Sequence, residues 1–517
     1  MRIDRRVRGP MRALSMCLSV VLMAGVFGTV ATAQPGASHP TSPVQVSAID
    51  WERCADPFLR QQHARCGMLE VPLDYDDPSG PKIKLALSRV RHSAPEDRYQ
   101  GVMLVNPGGP GGSGLSYSAL ANFIPDPAGG PYDWIGFDPR GVGSSRPSLS
   151  CMPNYFHPDR PPYAPNTEEL EATWLDRAAR YADACAANAP ELLQHMSTID
   201  AARDMDAIRQ ALGVDQINYL GASYGTYLGQ VYATLFPGTM RRAIFDSTVD
   251  PSLDLFHLTQ EQSVGFDRNV RIWIAWLATH HDVYHLGKTE EAVTRTYLEA
   301  QRDLKRHPAG GVVGPAEWSD ALLSAAYCQC VWERLGDAFS RWVHEGAAGK
   351  LIRAYLIADT PGDDNGYAVR MAVWCSDMPW PTEWDTWRTA AQAVSETAPL
   401  FAWANARDSA PCMTWGAPAG VPVTVQGDAT PVLMISETLD AATPYEWSLS
   451  VRSEFPNAVL IAEPGGTTHA GAFTGNAPAC VFDRIYAFLA TGERPTRQQG
   501  NIADLECEPL PQPVPNG

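Results

Sequence analysis

The chain has 517 residues, 45% of them apolar and 19% charged, with a formal net charge of −18. That apolar share excludes a mainly disordered chain, and the length suits one large α/β domain with a sizeable insertion or about three smaller domains. The negative balance argues against nucleic-acid binding as the main role, because phosphate contacts need clustered Lys and Arg.

Residues 1–33 read as a secretory signal peptide. Arg2, Arg5, Arg6, Arg8 and Arg12 form a basic start, Ala13 to Val30 an apolar run, and Ala31-Thr32-Ala33 a cleavage site. Cys17 follows Met16 rather than a small residue and makes a poor lipoprotein site. Cleavage would remove five Arg and one Asp, taking the charge from −18 to −22. No later apolar stretch is long enough to span a bilayer, so the mature protein is expected to be exported, periplasmic or extracellular, and free of the membrane.

Setting Cys17 aside, ten cysteines remain, an even number that in an exported chain favours disulfides over thiol chemistry. Neighbours in sequence suggest Cys54–Cys66, Cys151–Cys185, Cys375–Cys412 and Cys480–Cys507, although connectivity is not deducible from sequence. Cys328-Gln329-Cys330 could pair or supply two metal ligands. Only His281 and His285, at i,i+4, resemble helical ligand spacing, and nothing ties them to these cysteines. No metal site is expected.

Gln34–Ser47 reads as a linker rich in Pro, Ser and Gly, and Pro509–Gly517 as a Pro-rich tail. Between them, strands are predicted at Ile83–Val90, Gly101–Val105, Tyr132–Phe137, Gln216–Leu220, Ala243–Phe245, Pro431–Ser436 and Ala458–Ala462. An amphipathic helix, Thr198–Leu212, leads into the Gln216 strand. Strands alternating with helices argue for an α/β fold with a mostly parallel sheet covered on both faces. Residues 253–420 differ: they hold most of the Trp residues and long helical patterns such as Gln260–Leu277 and Asp320–Gly336. They read as a helical cap inserted between a core piece at 34–252 and a second at 421–517.

Gly221-Ala222-Ser223-Tyr224-Gly225 fits G-x-S-x-G, with an apolar strand running into it and a helix-compatible stretch after it. That is the strand–turn–helix setting of a nucleophile elbow, which exposes Ser223. A base and an acid should follow in the order Ser, acid, His. His469 is the one histidine beyond residue 344, in a Gly-rich loop after the Ala458 strand. Asp440 lies in the loop after the Pro431 strand and would orient His469, with Glu437 as the competing acid. Asn106-Pro107-Gly108-Gly109-Pro110-Gly111-Gly112-Ser113-Gly114 lacks the Lys of a phosphate loop. Instead, backbone N–H groups of Gly109 and Tyr224 would stabilise an oxyanion.

These motifs resemble the branch of α/β-hydrolase serine peptidases that contains prolyl aminopeptidases and secreted tripeptidyl aminopeptidases. Gly108-Gly109-Pro110-Gly111-Gly112 resembles their GGPGG loop and Phe137-Asp138-Pro139-Arg140-Gly141-Val142-Gly143 their FDxRGxGxS segment. Gly221 to Thr226 resembles the G-x-SYGT elbow, and Asp440 with Thr443-Pro444 the D-x-x-TP of the C-terminal TAP-like region. Trp51, Cys54, Cys66 and Val71-Pro72-Leu73-Asp74-Tyr75 resemble the start of the secreted members. Two departures stand out: His469 sits in Thr-His-Ala-Gly rather than Gly-His-Gly, and Glu437 replaces a frequent Gly.

The resemblance implies an α/β-hydrolase fold and acyl transfer without metal or organic cofactor. It implies an oligopeptide substrate with a free N-terminus, from which a tripeptide or a single residue is released. The α-ammonium needs a carboxylate; Asp377, in Cys375-Ser376-Asp377, resembles the family's C-x-D element and could serve. A secreted carboxylesterase with the same triad is the alternative, and a catalytically silent binding protein on this scaffold is a third.

Overall fold

The computed structural model describes residues 47–515 apart from Pro165, Leu253 and Asp428. The signal-peptide reading of residues 1–33 lies outside the described residues. Ten strands form one sheet: β1 (Glu52–Arg53), β2 (Arg65–Pro72), β3 (Lys82–Val90), β4 (Gly101–Asn106), β5 (Tyr132–Asp138), β6 (Ile217–Ala222), β7 (Met240–Asp246), β8 (Val432–Glu437), β9 (Ala458–Glu463) and β10 (Leu505–Glu506). Their spatial order is β1-β2-β3-β5-β4-β6-β7-β8-β9-β10. From β5 onward every pairing is parallel, while β1, β2 and β3 join antiparallel at one edge. Strands β5, β6, β8 and β9 are buried along their whole length, as expected where helices cover both faces.

All seven strands expected from the sequence form, with ends shifted by at most three residues. Strand β2 was not foreseen. Gly67, Leu69 and Val71 are buried in alternation, but Arg65 and Glu70 on the same strand weaken the apolar signal. Helix α1 (Thr198–Ala211) opens with a capping box between Ser197 and Asp200, and α2 (Tyr224–Leu235) follows the elbow.

Between β7 and β8 the chain is helical. Helix α3 (Leu255–Thr279) is the longest, followed among others by α4 (Pro315–Tyr327), α5 (Trp332–Glu345), α6 (Asn365–Asp377) and α7 (Ala402–Ser409). The single helix expected over Asp320–Gly336 is broken. Cys328 and Cys330 are disulfide-bonded, and residues two apart on a helix face different ways, so Cys328 leaves the helix with φ −152° and ψ 126°. The four other disulfides are Cys54–Cys66, Cys151–Cys185, Cys375–Cys412 and Cys480–Cys507. The Pro-rich end lies on the helical region: Trp276 Nε1 donates to Pro513 O at 2.8 Å and Gln329 Nε2 to Leu510 O at 3.1 Å.

The helical region has its own apolar core around Trp273, Trp318, Trp332 and Phe339, and Ala441 and Ala442 from the loop after β8 belong to it. No helix among the described residues is long and apolar enough to cross a membrane.

Candidate active site

Ser223 sits between β6 and α2 at φ 55° and ψ −129°. A non-glycine residue held there costs about 1–3 kcal/mol, and such strain concentrates at functional turns. The turn is braced by close approach. A Cβ on Gly225 would lie 2.5 Å from Asn106 O, and one on Gly108 would lie 2.4 Å from Ala222 O and 3.0 Å from Tyr224 N. The glycine-rich loop therefore rests directly on the elbow. Tyr224 N is the first amide of α2 and, like any such group, has no intrahelical acceptor.

The FDxRG-like segment holds that loop from behind. Asp138 accepts from Ser113 Oγ at 2.6 Å, Gly114 N at 3.1 Å and Ser144 N at 2.8 Å. Arg140 is fully buried and forks onto Asp204 at 2.7 and 2.8 Å, the paired geometry that guanidinium and carboxylate favour.

His469 Nδ1 lies 2.9 and 3.0 Å from the two oxygens of Asp440. Asp440 is fully buried and also accepts from Ala442 N, Thr443 N and Thr443 Oγ1 at 2.8–3.0 Å. His469 and these hydrogen bonds hold its carboxylate below the ordinary range, and Asp440 in turn raises the His469 imidazole. The competing acid does not reach the ring: Glu437 accepts from Thr468 N instead. Both loops converge on the end of β7. Ser223 N donates to Asp246 O at 3.0 Å, Ala470 N to Ser247 Oγ at 2.7 Å and Phe473 N to Asp246 Oδ2 at 2.7 Å. No Ser223–His469 hydrogen bond forms among the described residues; contacts of this kind often tighten only with substrate bound.

Helices of the cap region fasten the acid and base loops. From α3, Gln262 Nε2 donates to Ala442 O at 2.8 Å, and Arg268 Nη2 to Leu439 O and Asp440 O at 2.6 and 3.0 Å. Asn269 Nδ2 reaches Leu439 O, Ala326 O and Thr467 O at 2.8, 3.1 and 3.3 Å. From α4, Tyr327 O accepts from His469 N at 2.7 Å, and the two rings meet edge to face at 5.3 Å. Nothing in the sequence marked these residues, since each is a lone polar side chain within a helical pattern.

Sequence and geometry now meet in known proteins. Residues 101–327 match the alpha/beta hydrolase fold family and residues 398–501 the TAP-like protein family. The tripeptidyl aminopeptidase of Streptomyces lividans is 36% identical over 93% of this chain and 90% of its own length. The chain belongs to the TAP family of α/β-hydrolases. Serine protease Hip1 of Mycobacterium tuberculosis is 30% identical over 96% of this chain and 98% of its own. Carboxylesterase B of the same organism is 31% identical over 93% and 94%. This TAP-family member is thus a serine hydrolase of the tripeptidyl aminopeptidase-like kind.

In this TAP-family hydrolase a cavity of about 400 Å³ is lined by Ser223 and Gly109 and by Asp320, Asp359, Asp363 and Asp408. Two arginines offset part of that charge. Arg160 contacts Asp320 and Asp359 at 2.6 and 2.9 Å, and Arg370 contacts Asp408 at 2.8 Å. Burial and the neighbouring Asp320 push the Asp359 carboxyl up to about 8. Asp377 is not among the lining residues. It is buried and accepts from Thr198 N at 2.7 Å and Thr198 Oγ1 at 2.6 Å, at the start of α1. The ammonium-binding role expected of Asp377 is not supported by this position; its C-x-D motif anchors a helix. The aspartates that do line the cavity lie scattered through the cap, outside any motif. Trp380 and Trp384 each stack on Trp387, in the apolar core shared with the sheet rather than along the cavity.

Proposed function

We propose that this protein is an exported serine exopeptidase that releases short units, tripeptide-like or single residues, from free N-termini of oligopeptides. The reading is carried by one cavity lined both by Ser223 with Gly109 and by four aspartates. Carboxylates in a partly desolvated cleft suit an α-ammonium, and the scissile carbonyl would then be held a fixed length of chain away. Asp320 and Asp408, paired with Arg160 and Arg370, are the groups to take that ammonium. Export is supported by the five disulfides and by the basic and apolar start of the chain.

Ser223 Oγ attacks the carbonyl while His469 takes its proton, and Asp440 holds the imidazole through Nδ1 and stabilises its charged form. The amides of Tyr224 and Gly109 stabilise the oxyanion. His469 then protonates the departing amine, and water releases the acyl group by the same steps in reverse. Neither metal nor organic cofactor enters these steps. Because Asp440 raises His469, kcat/KM should fall toward acid at a pH above the ordinary imidazole range, where the base becomes protonated.

The test compares Ala-Ala-Ala anilide with its N-acetylated form, using Ser223→Ala as blank. The free amine should be preferred on the order of 10–100-fold, as a charge-assisted contact to a partly buried carboxylate would give. Asp408→Asn should erase much of that preference. Comparable rates on both forms would reject the aminopeptidase. Turnover of aryl esters alone would favour the carboxylesterase reading, which the likeness to Carboxylesterase B supports.

A further inference from the structure

Beneath the loop that carries His469 lies a group of acidic side chains outside the reaction just described. Glu437 ends β8 and Glu463 ends β9, and they are direct partners in the parallel ladder, so both project to the same side of the sheet. Both are buried. Glu437 Oε2 accepts from Thr468 N, the amide just before His469. A Cβ on Gly466 would lie 2.5 Å from Glu437 Oε2, and one on Gly471 would lie 3.0 Å from Oε1. The carboxyl thus fills the floor of the loop on both sides of the histidine. Both oxygens of Glu463 are buried without a hydrogen-bond partner.

The titratable groups that act on Glu437 are Glu463 from β9, Asp440 from the loop after β8 and Asp246 from the end of β7, all acidic. On Glu463 the acting group is Asp246. Among the described residues no lysine or arginine forms an ion pair with Glu437 or Glu463. Two like charges on neighbouring strands in an apolar setting, without a cation, cannot both persist, and at least one proton is retained.

We infer that Glu437, kept uncharged beside Glu463, is a positioning residue that holds the His469 loop in its working shape through Thr468 N. This rests on the Ser223–His469–Asp440 reading above. While neutral, Glu437 supplies an acceptor to the loop without setting a second negative charge against Asp440. Once ionised, it repels Asp440 and Glu463 within the same buried space, and the loop that aims His469 shifts. Burial pushes Glu437 up to about 9 and Glu463 up to about 8, so the change falls on the alkaline side of neutrality.

The experiment follows the labelling rate of Ser223 by a fluorophosphonate probe from acid to alkaline pH, a readout that needs no peptide. The wild type should lose reactivity above about pH 9. Glu437→Gln, whose amide oxygen still accepts, should keep its neutral-pH rate within about threefold and show no alkaline loss. Glu437→Ala, lacking the acceptor, should drop about tenfold or more at every pH. Glu463→Gln removes the neighbouring charge and should move the alkaline loss to lower pH. A Glu437→Gln profile that superimposes on the wild type overturns the proposal, as does a Glu463→Gln profile that does not move. Labelling that persists in Ser223→Ala would instead fail the nucleophile reading, which separates the two failures.

Discussion

Both oxygens of Asp377 are occupied by Thr198, and Thr198 Oγ1 in turn lies 2.6 Å from the hydroxyl of Tyr224. This links the end of α6 to the start of α1 and to the residue after the nucleophile. Asp377→Asn replaces one of the two oxygens that accept from Thr198 with an amide N–H, and should cost about 1–3 kcal/mol in a denaturant titration. The ratio of rates on free-amine and blocked tripeptide anilides should not change; a selective rise in KM for the free amine would restore a substrate role. The contrast with Ser223, Asp440 and His469 shows what a sequence can convey about single residues. Those three follow apolar strands in a fixed chain order, and a strand end tells where a side chain emerges. Asp377 ends a helix instead, and a C-x-D spacing carries no information on which neighbour its oxygens meet. Asp320 and Asp408 were illegible for the same reason, because each faces the cavity only through the packing of cap helices.

At the scale of elements, α3 and the loop after β8 are pressed together at Gly265, where a Cβ would lie 2.5 Å from Ala441 O. Gly265→Ala favours the helix by intrinsic propensity yet forces the helix and the acid loop apart. The expected outcome is a loss of kcat on peptides and esters alike, with little change in far-ultraviolet circular dichroism. Retention of full activity would mean that the loop tolerates displacement. Parallel strands were readable because burial on both faces makes them short apolar runs, and the helices between them because their periodicity is regular. Strand β2, next to the two-residue edge strand β1, and the break at Cys328 were not. The first is half exposed and carries charge, and the second depends on a covalent pairing that periodicity does not register.

For the whole molecule, buried acids govern how stability depends on pH. Glu437, Glu463, Asp246 and Asp377 are raised to about 9, 8, 7 and 7, mainly by burial. In the unfolded chain such groups release their protons near pH 4, so between about pH 4 and pH 9 the folded state holds more protons than the unfolded one. Stability contributed by these groups is therefore present at low pH and lost as pH rises through their folded values. The melting temperature should fall progressively from about pH 5 to pH 9. A rise across that range, in buffers of equal ionic strength, would contradict the neutral state of these acids.

The serine elbow is encoded before the cap and the acid and base after it, and Asn269 in the cap fastens both later loops. A nascent chain that has emerged only as far as the cap therefore carries a strained serine with no partner. If the proposed triad is right, hydrolytic competence arrives with the last strands, once the cap has something to grip. On the proposed mechanism, a hydrolase assembled in this order is inert until its last strands are in place, and its activity reports that the whole chain has folded.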